Sequence, residues 1–151
     1  MNSQYRLISG IAMVFNNEIF LGYTINNYWQ MPQGGIKENE ESNIAAKREL
    51  LEETGVNESC GTWGASTDWY TIDLPQEYLQ SKRYINRKGQ KYQWFLFNCH
   101  TKPNIVLSTN EFQNYMWVTP KQALDFNIYS FKTEMYRDVL IKFGLFNRLV
   151  E

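Results

Sequence analysis

Glu49, Glu52 and Glu53 stand close together in the run GGIKENEESNIAAKRELLEETGV, Gly34 to Val56. On a helix their offsets of three and four set all three carboxylates on one side, within about 100° of arc. Such charges repel by a few tenths of a kcal/mol per exposed pair, and the penalty grows steeply when the groups are partly buried. A hard divalent cation reverses the sign, because Mg²⁺ prefers oxygen ligands and usually takes one or two carboxylates together with substrate phosphate oxygens. Metal-assisted chemistry on phosphates is therefore what this segment could perform. Ala45 and Ala46 flank the carboxylate side and are expected to leave room for a ligand. Ile44 and Leu51 project roughly opposite and are expected to anchor the helix in a core.

Taken alone, Glu-x-x-Glu-Glu also reads as a solvated helix face. The wider spacing decides against that. Gly34, Glu40, Arg48, Glu49, Leu50, Glu52, Glu53, Gly55 and Val56 occupy every required position of one pattern, which chance fills on the order of once in ten million trials. The pattern resembles the signature of the Nudix hydrolases, which split nucleoside diphosphates linked to a further group. The local chemistry agrees with it. Gly34 and Gly35 are expected to form a loop whose backbone approaches a phosphate closely and reaches positive φ. Ser42 or Asn43 could cap the helix, and Gly55 is placed to end it in the left-handed conformation. Arg48, four residues before Glu52, is expected to orient a ligand carboxylate as a support to catalysis, not as a substrate contact.

These residues need a scaffold, and the rest of the chain supplies strand and helix patterns. Ser9 to Phe15 and Ile19 to Thr24 read as a hairpin through Asn16, Asn17 and Glu18. A short extended stretch at Trp29 to Pro32 leads to the Gly34 loop. Strands are expected at Thr62 to Leu74, Tyr92 to Cys99 and Tyr115 to Val118. Pro120 opens a short helix through Ala123 and Leu124, and Met135, Val139, Leu140 and Phe143 repeat at helical spacing within Phe131 to Phe146. The predicted class is α/β, a mixed sheet between helices, which is also the α/β/α sandwich that the resemblance implies.

The chain of 151 residues, 43% apolar, is the size of one domain, read as residues 1–151. A net charge of −1 leaves polyanion binding to a local basic patch or to metal. Cys60, Cys99 and His100 lack the spacing of a zinc site, and no stretch reads as a leader or a membrane span, so a reducing, cytoplasmic setting is expected.

Four further stretches, YWQMPQGGI, RKGQKYQWF, EFQNYMWV and SFKTEMYRDV, make the chain similar to the bacterial RNA pyrophosphohydrolases within that family. The branch overlaps with the dinucleoside polyphosphate hydrolases. The resemblance implies conversion of a 5′-triphosphate RNA end to a monophosphate, with hydrolysis of diadenosine tetra- or pentaphosphate as the alternative and a silent nucleotide or RNA sensor as a third reading. It implies that Glu49, Glu52, Glu53 and Glu111, with a backbone carbonyl near Gln33 or Gly34, bind Mg²⁺ or Mn²⁺. Glu53, or alternatively Glu49, would be the base. Arg6, Gly35, Lys91, Tyr129, Phe131 and Lys132 would meet the substrate, Phe131 by stacking a base and Lys132 at phosphate. The sequence departs from the branch at Leu21, Gly22 and Tyr23, where arginines are usual and one cationic wall is absent, and at Thr133, where a further basic residue is common.

Overall fold

The computed structural model describes residues 4–146; the two ends of the expected 1–151 domain lie outside them. The chain runs through β1 (Tyr5–Phe15), β2 (Glu18–Thr24), β3 (Trp29–Gln30), β4 (Gln33–Gly35), α1 (Ser42–Thr54), β5 (Gly61–Ser66), β6 (Tyr70–Asp73), β7 (Gly89–Cys99), β8 (Phe112–Val118), α2 (Pro120–Ala123) and α3 (Thr133–Lys142). Short 3-10 turns cover Gln76–Leu79, Lys82–Tyr84 and Ser130–Lys132. The strands form one mixed sheet whose main path is β3-β2-β1-β7-β5, with β4 on β1, β6 on β7 and β8 on β2. The β1/β7 pair is parallel from Tyr5↔Gly89 to Val14↔Asn98, and the other pairs are antiparallel.

β1 is buried on both faces, as a central strand must be. Ile8, Ala12 and Val14 join one core with Tyr92, Trp94 and the α3 residues Met135, Tyr136, Val139 and Leu140. Ile11 and Met13 join a second core with Phe95, Phe97 and the α1 residues Ala46 and Leu50. Helices thus cover both faces, giving the α/β/α sandwich expected from the sequence. The hairpin is also as expected, with Asn16 and Asn17 at φ 54° and 66° supplying the turn that a right-handed strand twist requires.

Several expectations need correction. Helix α1 packs through its carboxylate side: Ala45, Ala46, Glu49, Leu50, Glu53 and Thr54 are buried, whereas Ile44 and Leu51 are 45% and 48% exposed. The alanines are consumed by close approach to the sheet, so they leave no room there for a ligand. Neither Ser42 nor Asn43 caps the helix. Glu41 is the N-cap without a side-chain hydrogen bond, and the Ser42 hydroxyl instead donates to Gln93 Oε1 across the layers. Gly55 does end α1 in the left-handed conformation, at φ 75°. Gly34 and Gly35 belong to β4, not to a loop, and neither is among the positive-φ residues. The last helix is shorter than expected because residues Ser130–Lys132 form a 3-10 turn ahead of it.

β1 and β2 pair only next to their turn, at Val14↔Ile19 and Phe15↔Glu18. Farther along they part, and β4 enters the opening to pair with Ile8, Ser9 and Gly10. That opening positions the site.

Candidate active site

Glu49 and Glu53 of α1 point into this opening, against β4. Glu53 is 2% exposed and accepts a hydrogen bond from the Gln33 backbone N–H at 3.1 Å. Burial pushes its carboxyl well above the usual carboxylate range, with the charges of Glu49 and Glu111 adding to the effect. Glu49, 9% exposed, is likewise raised by burial, against the opposing pull of Arg48. Glu52 is exposed, its Oε1 3.3 Å from Arg48 Nη1.

Arg48 is the frame of the arrangement. Its guanidinium grips Glu40 with two donors, Nε at 2.8 Å and Nη2 at 2.9 Å, and also reaches the Gly35 carbonyl at 2.9 Å and Glu49 Oε2 at 2.7 Å. The expected pairing with Glu52 is the longest of these contacts. Hydrogen bonding from Arg48 lowers the Glu40 carboxyl to about 2, so Glu40 stays ionised and tied. One planar fork therefore joins helix, strand and the intervening turn.

Gly34 is required for a reason other than backbone freedom. A Cβ there would lie 1.9 Å from the Glu49 carboxyl carbon, so only a hydrogen fits. At Gly35 the neighbour is Arg6, whose Nη2 would lie 2.6 Å from an added Cβ.

From the opposite side of the opening comes Lys132. It is 3% exposed, and its Nζ donates to Gln30 Oε1 at 3.0 Å and Gln33 Oε1 at 2.8 Å. Burial lowers its pKa to about 7, while the negative charges of Glu53 and Glu111 pull the other way and Arg6 adds to the lowering. Lys132 therefore lies within the fields of Glu53, Glu111 and Arg6. A lysine held below its unfolded value of 10.5 is charged in the unfolded chain and largely neutral in the folded one between those values, so stability rises with pH across that window. In metal-free protein, wild type is expected to gain thermal stability from about pH 7 to pH 10, and Lys132→Met to lack that rise. A variant that keeps the full rise would show that another group titrates.

Beyond Lys132 lies a cleft of about 230 Å³ bordered by Arg6, Gln33, Tyr78, Arg83, Tyr129 and Phe131. Tyr129 stacks on Tyr28 at 3.8 Å, and Lys132 Nζ sits 5.1 Å from its ring centroid, so both neighbours already use that ring. Phe131 is half-buried, outside both cores, with its ring 5.2 Å from Tyr78. The structure thus gathers Arg6, Gly35, Gln33, Lys132, Phe131 and Tyr129. It does not bring Lys91 to them: Lys91 alternates with Gln90 along β7, and Gln90 borders the cleft while Lys91 points to the α1 face. Tyr23, at the place of the missing arginines, packs on Trp29 at 4.8 Å, and a Cβ at Gly22 would meet the Phe112 ring at 2.5 Å, so this strand end serves the core. Tyr78, Arg83 and Gln30 were not singled out from the sequence. The dense charge of KRYINRK around Arg83 was the available signal.

Glu111 lies in the turn before β8 and is exposed. The segment leading to it hangs from the end of α1, since Val106 N–H donates to the Thr54 carbonyl at 2.8 Å and Ser108 N–H to the Glu53 carbonyl at 3.2 Å. Among the described residues no three acidic, histidine or cysteine side chains are gathered into a ready metal cage. The buried pair nevertheless suits a cation. Glu49 and Glu53 are both pushed towards protonation, first of all by burial, and an oxygen-seeking divalent ion would favour their ionised forms.

Comparison with known proteins places this geometry. The profile described as NUDIX domain matches residues 5–139. An RNA pyrophosphohydrolase of Roseobacter denitrificans is 37% identical over 147 residues, covering 92% of this chain and 91% of its own. Among solved structures, the Escherichia coli dihydroneopterin triphosphate pyrophosphohydrolase superposes with a TM-score of 0.71 at 15% identity, covering 91% of this chain and 98% of that one. A Caenorhabditis elegans Ap4A hydrolase binary complex gives 0.67 at 18% identity, covering 92% and 99%. At those identities the two structures share the fold.

Proposed function

Since the chain belongs to the Nudix family and is a Nudix hydrolase, we propose that it converts 5′-triphosphate RNA ends to 5′-monophosphate. The observation that carries this reading is the position of Arg6 and Lys132 between the buried Glu49/Glu53 pair and the aromatic cleft of Tyr78 and Phe131. Phosphates would lie against Arg6 and Lys132, their negative charge favouring the protonated lysine, and a terminal base against the rings. The relative from Roseobacter denitrificans bears the corresponding name.

In this reading Glu49, Glu52, Glu53 and Glu111, with a carbonyl of Gln33 or Gly34, would hold Mg²⁺ or Mn²⁺. When bound, the metal supplies counter-charge to the phosphates and makes water more acidic. Glu53, or alternatively Glu49, accepts the proton as water oxygen bonds to phosphorus and the anhydride P–O bond breaks. Gln33 N–H holds one Glu53 oxygen in place. Arg48 holds Glu49 in place without touching substrate. Arg6 and Lys132 orient the triphosphate. Hydrolysis of RNA ends would place the protein in the cytoplasm, and no helix among the described residues is long and apolar enough to cross a membrane.

A dinucleoside polyphosphate is the second reading, favoured by the absence of arginine at the end of β2, where Leu21, Gly22 and Tyr23 stand instead. The deciding measurement is kcat/KM with Mg²⁺ on a triphosphorylated RNA oligonucleotide against diadenosine tetraphosphate. We expect RNA to be preferred by at least about tenfold, the lower end of what a few polar contacts discriminate. Preference for the dinucleotide would overturn the first reading.

A further inference from the structure

Arg6 borders two cavities. On one side is the aromatic cleft, and on the other a groove of about 1000 Å³ walled by Gly35 to Glu40 and by Ile85, Asn86 and Arg87, with Tyr5 and Leu7 also lining it. The volume matches the upper end of small-ligand sites and exceeds what the terminal nucleotide alone would fill.

The groove is cationic although the chain as a whole is not. Its own cations are Arg6, Lys37 and Arg87, and the segment that carries Arg87 is basic throughout, with no acidic residue from Tyr78 through Asn110 in a protein of net charge −1. Arg6, Lys37 and Arg87 all border the groove, and none forms an ion pair or side-chain hydrogen bond among the described residues. Of the two groove acids, Glu40 is consumed by Arg48, which leaves Glu38 as the one opposing charge. The basic wall is built in place. Tyr84 is buried, its hydroxyl accepting from Gln90 Nε2 at 2.7 Å, and Lys88 N–H donates to the Gln4 carbonyl at 2.7 Å. Next to it Ile85 is left 66% exposed at the groove edge. Unspent cations with apolar and aromatic surface are the ingredients by which proteins follow a single strand without reading its sequence.

We propose that this groove carries the RNA strand downstream of its 5′ end, with Lys37 and Arg87, from the two segments that line it, contacting backbone phosphates. This rests on the RNA reading above and adds to it a length preference. A dinucleoside polyphosphate has no strand to lay there.

The test compares triphosphorylated single strands of two and about twelve nucleotides, a length within the usual range of single-strand sites. Wild type is expected to favour the longer strand about tenfold in kcat/KM, chiefly through KM. In the double variant Lys37→Ala/Arg87→Ala that advantage falls to about twofold or less, and the slope of log KM against log salt drops by about 1.4 for the two lost phosphate contacts. Lys121→Ala, an exposed lysine on α2, controls for loss of charge alone and is expected to keep both. Turnover of the dinucleotide without a length advantage would overturn the groove and leave the functional reading standing. Absence of turnover on either strand would overturn the functional reading itself. Anisotropy with a fluorescent 5′-monophosphorylated strand of the longer length reads the groove independently: binding that the double variant leaves unchanged overturns it.

Discussion

Glu53→Gln is expected to lower kcat by about a thousandfold, the scale of a positioned proton acceptor combined with metal assistance, while the metal-free protein melts no earlier than wild type. The second half of this expectation comes from burial. Glu53 is 2% exposed and its carboxyl is raised well above the ordinary value of 4.5, so above that value the folded state holds a proton that the unfolded state has released. Stability therefore falls as pH rises from 4.5 towards the raised pKa, and a neutral amide removes this liability. The amide oxygen can still accept from Gln33 N–H. Kinetics and thermal melts, with EDTA and with Mg²⁺, separate the two effects: wild type should gain stability from Mg²⁺ and the variant much less. Retention of metal-dependent activity near the wild-type level would sink the proposed site.

Gly34→Ala is the second large expectation, a loss of about a hundredfold in kcat/KM accompanied by a fall in Tm of several degrees. An added Cβ would lie 1.9 Å from the Glu49 carboxyl carbon and 2.2 Å from each of its oxygens. Withdrawal of β4 is blocked, because Gly34 pairs with Ser9 on one side and the adjacent Gly35 carbonyl is held by Arg48. Displacement of Glu49 is the remaining escape, and it also breaks the 2.7 Å contact with Arg48. Overpacking of this kind costs about 1–3 kcal/mol, and a small misplacement at a reacting centre accounts for the rate. Gly64→Ala is the matched control. There the nearest atom is Leu96 Cδ2 at 3.1 Å, a side-chain end that can yield, and near-normal activity is expected. Equal losses in the two variants would assign the effect to strand propensity instead of the carboxylate.

What could be read in advance follows from the range of the interaction that determines it. The Asn16-Asn17 hairpin and the end of α1 at Gly55 rest on contacts within a few residues, and both appear as local pattern predicts. The inward side of α1 does not. Hydropathy sends Ile44 and Leu51 to the core, yet the sheet accepts Ala45, Ala46 and Leu50 because small side chains allow the backbones to approach, and the carboxylates then fall into the opening between β1 and β2. That opening is a property of strand pairing, which no helix-local pattern contains. The placement of Lys132 opposite Glu53 is similarly distant, since it depends on Gln30 and Gln33, about a hundred residues earlier. Arg87 reaches the groove only because β6 and β7 pair from Tyr70↔Tyr92 to Asp73↔Gly89 and present the intervening segment beside Tyr5.

The segment that leads to Glu111 is suspended from α1 by main-chain atoms, Val106 N–H on the Thr54 carbonyl and Ser108 N–H on the Glu53 carbonyl. Main-chain bonds are indifferent to side-chain identity but not to chain length. Substitutions between residues 101 and 110 can therefore accumulate with little effect on where Glu111 stands, whereas insertion or deletion of one residue after Ser108 would carry that carboxylate off by up to about 3.5 Å. Spacing is the quantity under constraint here. Among related chains the count of residues from Gly55 to the acidic residue is expected to vary less than their identity.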